Sequence, residues 1–321
     1  MNTILLLGYS SIAQKSIIPA LKRHPHARLT AIASRSKSHL IPHGYNVFND
    51  YKKAIDAVSC DTVYISLHNS AHVTWILYAL EKGKNVICDK PVVLNQKEAR
   101  MIIGKAAGKR VIFEATQYLY HPAHKKLTRL IRDERASLQH ITLQFGYPRL
   151  PRNNFRNSLT LGGGCVFDLG PYVVSAGYHY FGKIATDVSS YIQYEHQLPV
   201  TATISLRFSA TETLQAAIGF GREYRNHLEF WGGEYYFSLD RAFTIPRDIQ
   251  NTILLKRHDR TSMMTARARD SFYDMFTVFA NLKRTEYRGY NERLLDRLIM
   301  LDAINVAGKS GGVYHIPNRT T

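Results

Sequence analysis

Five short apolar runs, unbroken rather than alternating, recur through the first third of the chain and restrict it to one kind of sheet. They are Thr3–Leu7, Leu29–Ala33, Thr62–Leu67, Asn85–Cys88 and Arg110–Phe113. A strand covered on both faces has this pattern, and such strands belong to parallel sheets sandwiched between helices. Helical periodicity fills the gaps. Ile12, Ile17, Ile18 and Leu21 fall on one face, and further helices are predicted over Ala71–Lys82 and Gln96–Ala107. Strand and helix alternate from residue 3 to residue 113, which predicts a doubly wound parallel sheet with right-handed crossovers.

After Pro122 the pattern changes. A helix over Ala123–Asp133 is followed by runs of alternating β formers at His140–Phe145, Val188–Glu195, Ala202–Phe208, Thr213–Phe220 and His227–Leu239. Alternation of this kind predicts a sheet covered on one face, hence mostly antiparallel. Helical patterns near Ala268–Leu282 and Glu292–Ala307 close the chain. The predicted fold is α/β: residues 1–120 form the doubly wound domain, and residues 121–321 form an α+β domain with a large, mostly antiparallel open sheet.

Bulk properties exclude several classes. The chain has 45% hydrophobic and 21% charged residues, as a globular protein does. No run approaches the ~20 apolar residues of a membrane span, and Ile4–Leu7 is too short for the apolar core of a signal peptide. Cys60, Cys88 and Cys165 are far apart and have no ligand spacing, so neither a disulfide framework nor a metal centre is expected, and a reducing cytoplasm fits. Lysine and arginine outnumber aspartate and glutamate by 42 to 25, a net +17. That charge attracts polyanions. The basic residues are spread out, with only short groupings at Lys22–Arg35 and Lys125–Arg135, and no nucleic-acid-binding motif is present, so nucleic acid is not expected as a partner. A dinucleotide or a nucleotide-linked substrate accounts for part of the charge.

Gly8-Tyr9-Ser10-Ser11-Ile12-Ala13 lies between the first strand and first helix, where a dinucleotide fingerprint belongs. Gly8 permits the tight turn, and the small Ser10 and Ala13 stand where further glycines are usual. The pyrophosphate would then rest on the helix N-terminus, near Ser10, Ser11 and Ile12. By glycine pattern alone, an ordinary strand–helix turn is an equal reading. A site selecting NAD ends its second strand in a carboxylate that holds the ribose 2′-hydroxyl. Here Ser34 and Arg35, with Lys37 nearby, offer a hydroxyl and cations suited to a 2′-phosphate, which favours NADP. Without a ligand the same run reads as a solvated basic turn.

Val86-Ile87-Cys88-Asp89-Lys90-Pro91 ends an apolar strand in a lysine held by a proline. A buried ammonium is costly, and the residue before proline is restricted to extended backbone, so the Lys90 side chain is aimed. Taken alone, this is a solvated strand-end lysine before a turn.

Together these residues resemble the glucose-fructose oxidoreductase/inositol dehydrogenase/rhizopine-catabolism (Gfo/Idh/MocA) family of NAD(P)-dependent oxidoreductases, over nearly the whole chain. Asp89-Lys90-Pro91 is similar to its Glu-Lys-Pro signature. Asn69-Ser70-Ala71-His72 with Ala79-Leu80-Glu81-Lys82-Gly83-Lys84 resembles its Asn-x-x-His…Ala-Leu-x-x-Gly-Lys segment. Gly162-Gly163-Gly164, Asp168, Gly170 and Tyr172 resemble its downstream glycine-rich element. Further likenesses, including Glu114-Ala115 with His121-Pro122 and Arg241-Ala242-Phe243-Thr244, point to the branch of sugar-nucleotide 3-ketoreductases and dimeric dihydrodiol and xylose dehydrogenases. Asp89 for Glu, His68 for a usual proline, and Tyr118-Leu119-Tyr120 where an arginine is common are departures.

The resemblance implies a Rossmann NADP domain and a second domain for substrate and oligomerisation. It implies reduction of a sugar ketone by NADPH, with Tyr172 as proton donor and Lys90 as its cationic partner. Gly8, Ser10, Ser11, Ile12, Ser34, Arg35, Lys37, Leu67, Asn69, His72, Asp89, Lys90 and Arg156 are expected at the cofactor, and Asp168, Tyr118 and Arg152 at the substrate. A homodimer or homotetramer through the second sheet is also implied. A dehydrogenase of free sugars or trans-dihydrodiols, or an NADP(H)-binding sensor without turnover, are the alternative functions.

Overall fold

The computed structural model describes residues 1–133 and 138–317; Glu134 and Arg135, the end of the second basic grouping, lie outside the described residues. The chain divides into two compact units, Met1–Gln117 with Phe272–Leu295, and Tyr118–Ser271 with Asp296–Thr321.

The first unit contains β1 (Asn2–Leu7), α1 (Ile18–Arg23), β2 (Ala27–Ala33), β3 (Val47–Phe48), α2 (Tyr51–Ala57), β4 (Thr62–Ile65), α3 (His72–Glu81), β5 (Asn85–Cys88), α4 (Gln96–Ala106) and β6 (Ile112–Glu114). Its six strands lie in the order β3-β2-β1-β4-β5-β6, all parallel, as expected. The order reverses between β1 and β4, so the carboxyl ends of β2, β1, β4 and β5 present neighbouring loops at the switch point where such sheets bind ligands. Ile4–Leu7, Val63–Ile65 and Val86–Cys88 are fully buried, which is why these strands carry no polar alternation. Ile17, Ile18 and Leu21 are buried as predicted, whereas Ile12 is 41% exposed. A π-helical stretch over Ala13–Ile17 precedes α1 and shifts the helical register between Ile12 and the rest.

The second unit contains α5 (Pro122–Asp133), β7 (Leu138–Tyr147), α6 (Cys165–Phe181), β8 (Asp187–Glu195), β9 (Leu198–Arg207), β10 (Thr213–Phe220), β11 (Arg225–Gly232), β12 (Tyr236–Asp240), β13 (Asn251–Arg257) and β14 (Arg260–Ala266). Along the chain follow α7 (Ser271–Asn281) and the start of α8 (Tyr287–Ser310), which belong to the first unit, and then the rest of α8 and β15 (Val313–His315), which belong to the second. The nine strands run β14-β13-β12-β11-β7-β10-β9-β8-β15, antiparallel except for β10 beside β7. Ile141, Leu143, Ile204, Leu206, Leu214 and Ala216 are buried on the face that α6 covers. The other face leaves Tyr191 70% and Trp231 54% exposed.

Two expectations need correction. His227–Leu239 is not one strand: the chain turns after Gly232, where Gly232 N–H donates to Tyr235 O at 2.9 Å, and returns as β12. Residues 272–295, expected in the second domain, pack in the first unit. The reason is aromatic: Phe276 meets Tyr64 with centroids 6.1 Å apart, and Phe113 lies 5.3 Å from Phe279 and 4.8 Å from Tyr290.

Candidate functional site

In the first unit the site is built at strand ends. Gly8 leaves β1 at φ +97°, and a Cβ there would stand 2.1 Å from Ser66 O, so only glycine permits both the turn and the close approach of the chain after β4. Ser10 Oγ accepts from Ala13 N–H at 3.0 Å and lies 2.7 Å from Ser66 Oγ. Ser66 Oγ donates to Asp89 at 2.7 Å, and Tyr64 OH donates to the other oxygen of that carboxylate at 2.9 Å. Because the Ser66 hydrogen goes to Asp89, Ser10 supplies the hydrogen between the two serines. A hydrogen-bond chain therefore ties the helix start to the residue before Lys90. The N–H groups of Ser11 and Ile12 have no protein partner among the described residues. Open donors at a helix start form an anion site, and the loop fits a dinucleotide pyrophosphate.

Asp89 is the charged member of this chain. Burial pushes its carboxyl pKa up, opposed by the hydrogen bonds from Ser66 and Tyr64. His72 is fully buried, with Nδ1 2.8 Å from Pro91 O and Nε2 3.1 Å from Leu67 O, and burial lowers its pKa. Its ring thus ties the loop after β4 to the loop after β5. Leu67 supplies one of those carbonyls, and Asn69 is buried at the start of the turn that leads into α3. Lys90 follows directly, half-buried, with a cis peptide to Pro91. At the end of β2, Ser34 is buried and its Oγ accepts from Lys37 N–H at 3.2 Å. Arg35 is exposed, its guanidinium 4.8 Å from the Tyr51 ring centroid and 5.4 Å from that of Trp75. The two rings give the cation a platform beside the crevice.

In the second unit the site forms at the start of α6. Gly164 enters the helix at φ +99°, and a Cβ on Gly163 would lie 2.4 Å from Arg156 O. Gly164 N–H donates to that same carbonyl at 2.8 Å. The glycine run therefore presses the Phe155–Asn157 turn against the helix. Arg156 Nε then donates to Asp168 at 2.7 Å, and Tyr147 OH donates to the other Asp168 oxygen. Burial opposes the Arg156 charge, but Asp168 outweighs it and holds the guanidinium pKa above its usual range; burial, reinforced by Asp168, raises that of Tyr147.

One turn beyond Asp168, buried Tyr172 packs against Phe145, Phe243 and Tyr118, with centroids 5.0, 5.1 and 5.7 Å away. Tyr118, expected against substrate, is 1% exposed with its hydroxyl 2.8 Å from Ser175 Oγ; it packs as the support of Tyr172. Arg152 is exposed on the loop after β7. Asp168 and Arg156, expected at different ligands, are paired with each other. Sequence reasoning missed Tyr64, Ser66, Tyr147 and the Tyr51/Trp75 platform. Two hydroxyl residues two positions apart at the end of an apolar strand were a signal for Tyr64 and Ser66. Nothing local marks Tyr147.

A parallel sheet with open helix-start donors at its switch point defines a dinucleotide-binding protein. Residues 3–117 match the profile described as oxidoreductase family, NAD-binding Rossmann fold, and residues 124–237 match the GFO/IDH/MocA C-terminal domain. The chain belongs to this family of oxidoreductases. It is 26% identical over 315 residues to the dTDP-3,4-didehydro-2,6-dideoxy-alpha-D-glucose 3-reductase of Actinomadura kijaniata, covering 95% of each. It is 29% identical over 234 residues to a D-xylose 1-dehydrogenase (NADP(+)) of Haloferax volcanii, covering 65% of this chain and 70% of the relative. A solved 3-ketoreductase from Actinomadura kijaniata, in complex with NADP and TDP-benzene, matches at a TM-score of 0.88 and 25% identity, covering 95% of this chain and 97% of that one. Among the described residues no helix is long and apolar enough to cross a membrane.

Proposed function

We propose that this chain reduces the keto group of a nucleotide-linked sugar with NADPH. The observation that carries the reading is its likeness to a dTDP-sugar 3-reductase over 95% of both chains. The end of β2 supports NADP, since Ser34 and Arg35 stand where an NAD site has a carboxylate. Ser10, Ser11 and Ile12 would hold the pyrophosphate, and Arg35 and Lys37 the 2′-phosphate. When bound, NADPH supplies the hydride for the carbonyl carbon. The Tyr172 hydroxyl gives its proton to the oxygen, and the Lys90 ammonium stabilises negative charge as that oxygen becomes a hydroxyl. Asp89, tethered through Ser66 to the cofactor loop, fixes the backbone from which Lys90 extends.

The likeness to a xylose dehydrogenase favours a second reading, a dehydrogenase of free sugars. NADPH consumption with dTDP-linked keto sugars, compared with NADP reduction by xylose, separates the two. Lys90→Ala and Tyr172→Phe are each expected to slow turnover by about tenfold or more with NADPH still bound. Near-native turnover by Tyr172→Phe would remove it from the chemistry. We also read the open face of the nine-stranded sheet, where Tyr191 and Trp231 are exposed, as the surface on which copies of the chain pair. A monomer mass by light scattering at micromolar concentration would exclude that.

A further inference from the structure

Two arginines with open side-chain donors lie near Tyr147, at the end of β7, one linked to it through Asp168 and the other through the main chain. Arg156 commits Nε to Asp168, which also accepts from the Tyr147 hydroxyl, and its guanidinium carbon lies 4.7 Å from the Phe155 ring centroid. Its Nη groups have no protein partner among the described residues. Arg222 follows β10, which runs parallel to β7 and ends beside it, Phe220 stacking on Tyr147 with centroids 5.1 Å apart. Arg222 N–H donates to Tyr147 O at 3.3 Å. Its guanidinium is exposed and likewise has no protein partner among the described residues. The Arg222 charge reaches α6: burial, then Asp168, push the Cys165 thiol up to about 12, and Arg222 opposes them.

Asp168 balances the Arg156 charge through Nε alone, and the other nearby carboxylates leave the remaining guanidinium donors open. Glu195 is occupied by Arg149 in two hydrogen bonds, at 2.8 and 2.6 Å, and the Glu223 carboxylate accepts from Tyr224 N–H at 3.1 Å. Arg152 adds a third exposed guanidinium on the same loop as Arg156. Guanidinium forks left open at one rim fit a ligand with several anionic oxygens, and one of them is already oriented by a buried carboxylate.

We infer that Arg156 and Arg222 form a subsite for the diphosphate of a nucleoside diphosphate, with Asp168 and Tyr147 as the positioning residues that orient Arg156. The inference rests on the sugar-nucleotide reading above and adds to it the residues that recognise the nucleotide part. It assigns Arg156 to the substrate's phosphates instead of the cofactor's.

The test is calorimetric titration of the full chain with TDP, GDP, CDP and NADPH, comparing native protein with Arg222→Ala, a surface change that leaves the core intact. The nucleoside diphosphate that native protein binds best is expected to bind at least about tenfold more weakly to Arg222→Ala, the size of a lost charge-assisted hydrogen bond, with NADPH affinity unchanged. Arg222→Lys should recover part of the loss, and in turnover Arg222→Ala should raise KM for the nucleotide sugar while kcat holds. Unchanged affinity in Arg222→Ala, failure of native protein to bind any of the three, or an equal loss for NADPH each overturn the inference. Arginine-dependent nucleotide binding without reduction of any keto sugar would instead sink the reductase reading and leave the subsite standing.

Discussion

Acid should destabilise the second unit through one histidine. His124 on α5 is fully buried, with Nε2 2.6 Å from Ala242 O and Nδ1 2.7 Å from the Tyr180 hydroxyl. A neutral ring satisfies both contacts: Nε2–H donates to the carbonyl, and Nδ1 accepts from the tyrosine. Protonation removes that acceptor and leaves a buried charge. Burial accordingly pushes the pKa down to about 3, aided by the charges of His179 and His121 and opposed by the Ala242 carbonyl. In the unfolded chain the same ring titrates near ~6.5. Between those values the unfolded state holds a proton that the folded state does not, so this contribution to stability is complete above pH ~6.5 and shrinks as pH falls toward 3. At about pH 5 the linkage relation gives a loss of about 2 kcal/mol from this one ring. Urea unfolding of native protein and His124→Gln at about pH 7.5 and pH 5 reads it out. The variant, whose amide can donate to Ala242 and accept from Tyr180 at either pH, should lose about 2 kcal/mol less on acidification. Parallel pH dependences would refute the argument. Tyr118 packs on His124 at 4.8 Å and on Tyr172 at 5.7 Å, so loss of this core should take the site of Tyr172 with it.

Two further outcomes test the first unit. Arg35→Ala removes the cation held over Tyr51 and Trp75 and should weaken NADPH binding by about tenfold or more while leaving NADH nearly unchanged, as separate titrations with the two dinucleotides would show; equal losses would place Arg35 outside the 2′-phosphate site. Ser66→Ala breaks the chain from Ser10 to Asp89 and should cost about 1–2 kcal/mol in chemical denaturation, with a matching loss of NADPH affinity if the loop is positioned through it. Unchanged NADPH affinity would reduce the chain to a structural tie.

The two units differ in how far their sequences disclose them, and the difference has a physical cause. A strand buried on both faces states its condition residue by residue, so β1, β4 and β5 could be read from Ile4–Leu7, Val63–Ile65 and Val86–Cys88. The candidate site residues of that sheet lie at or just past strand ends, which is why Gly8, Ser34 and Lys90 stand out in sequence. β13 and β14 have no such signature, because one face of each is left open, with Met263 67% exposed. The helical period over 268–282 shows a helix but not its host, since Phe276 and Phe279 would suit either core; their partners Tyr64 and Phe113 are more than 160 positions away. The same limit governs the site. Asp168 and Tyr172 share a helix face and announce each other, but Tyr147 and Arg156 reach Asp168 only once β7 and the glycine run at 162–164 have folded against α6. In this chain, what a strand end presents can be read locally. What a carboxylate gathers from separate elements emerges only when they pack, and that is where the orientation of Arg156 is decided.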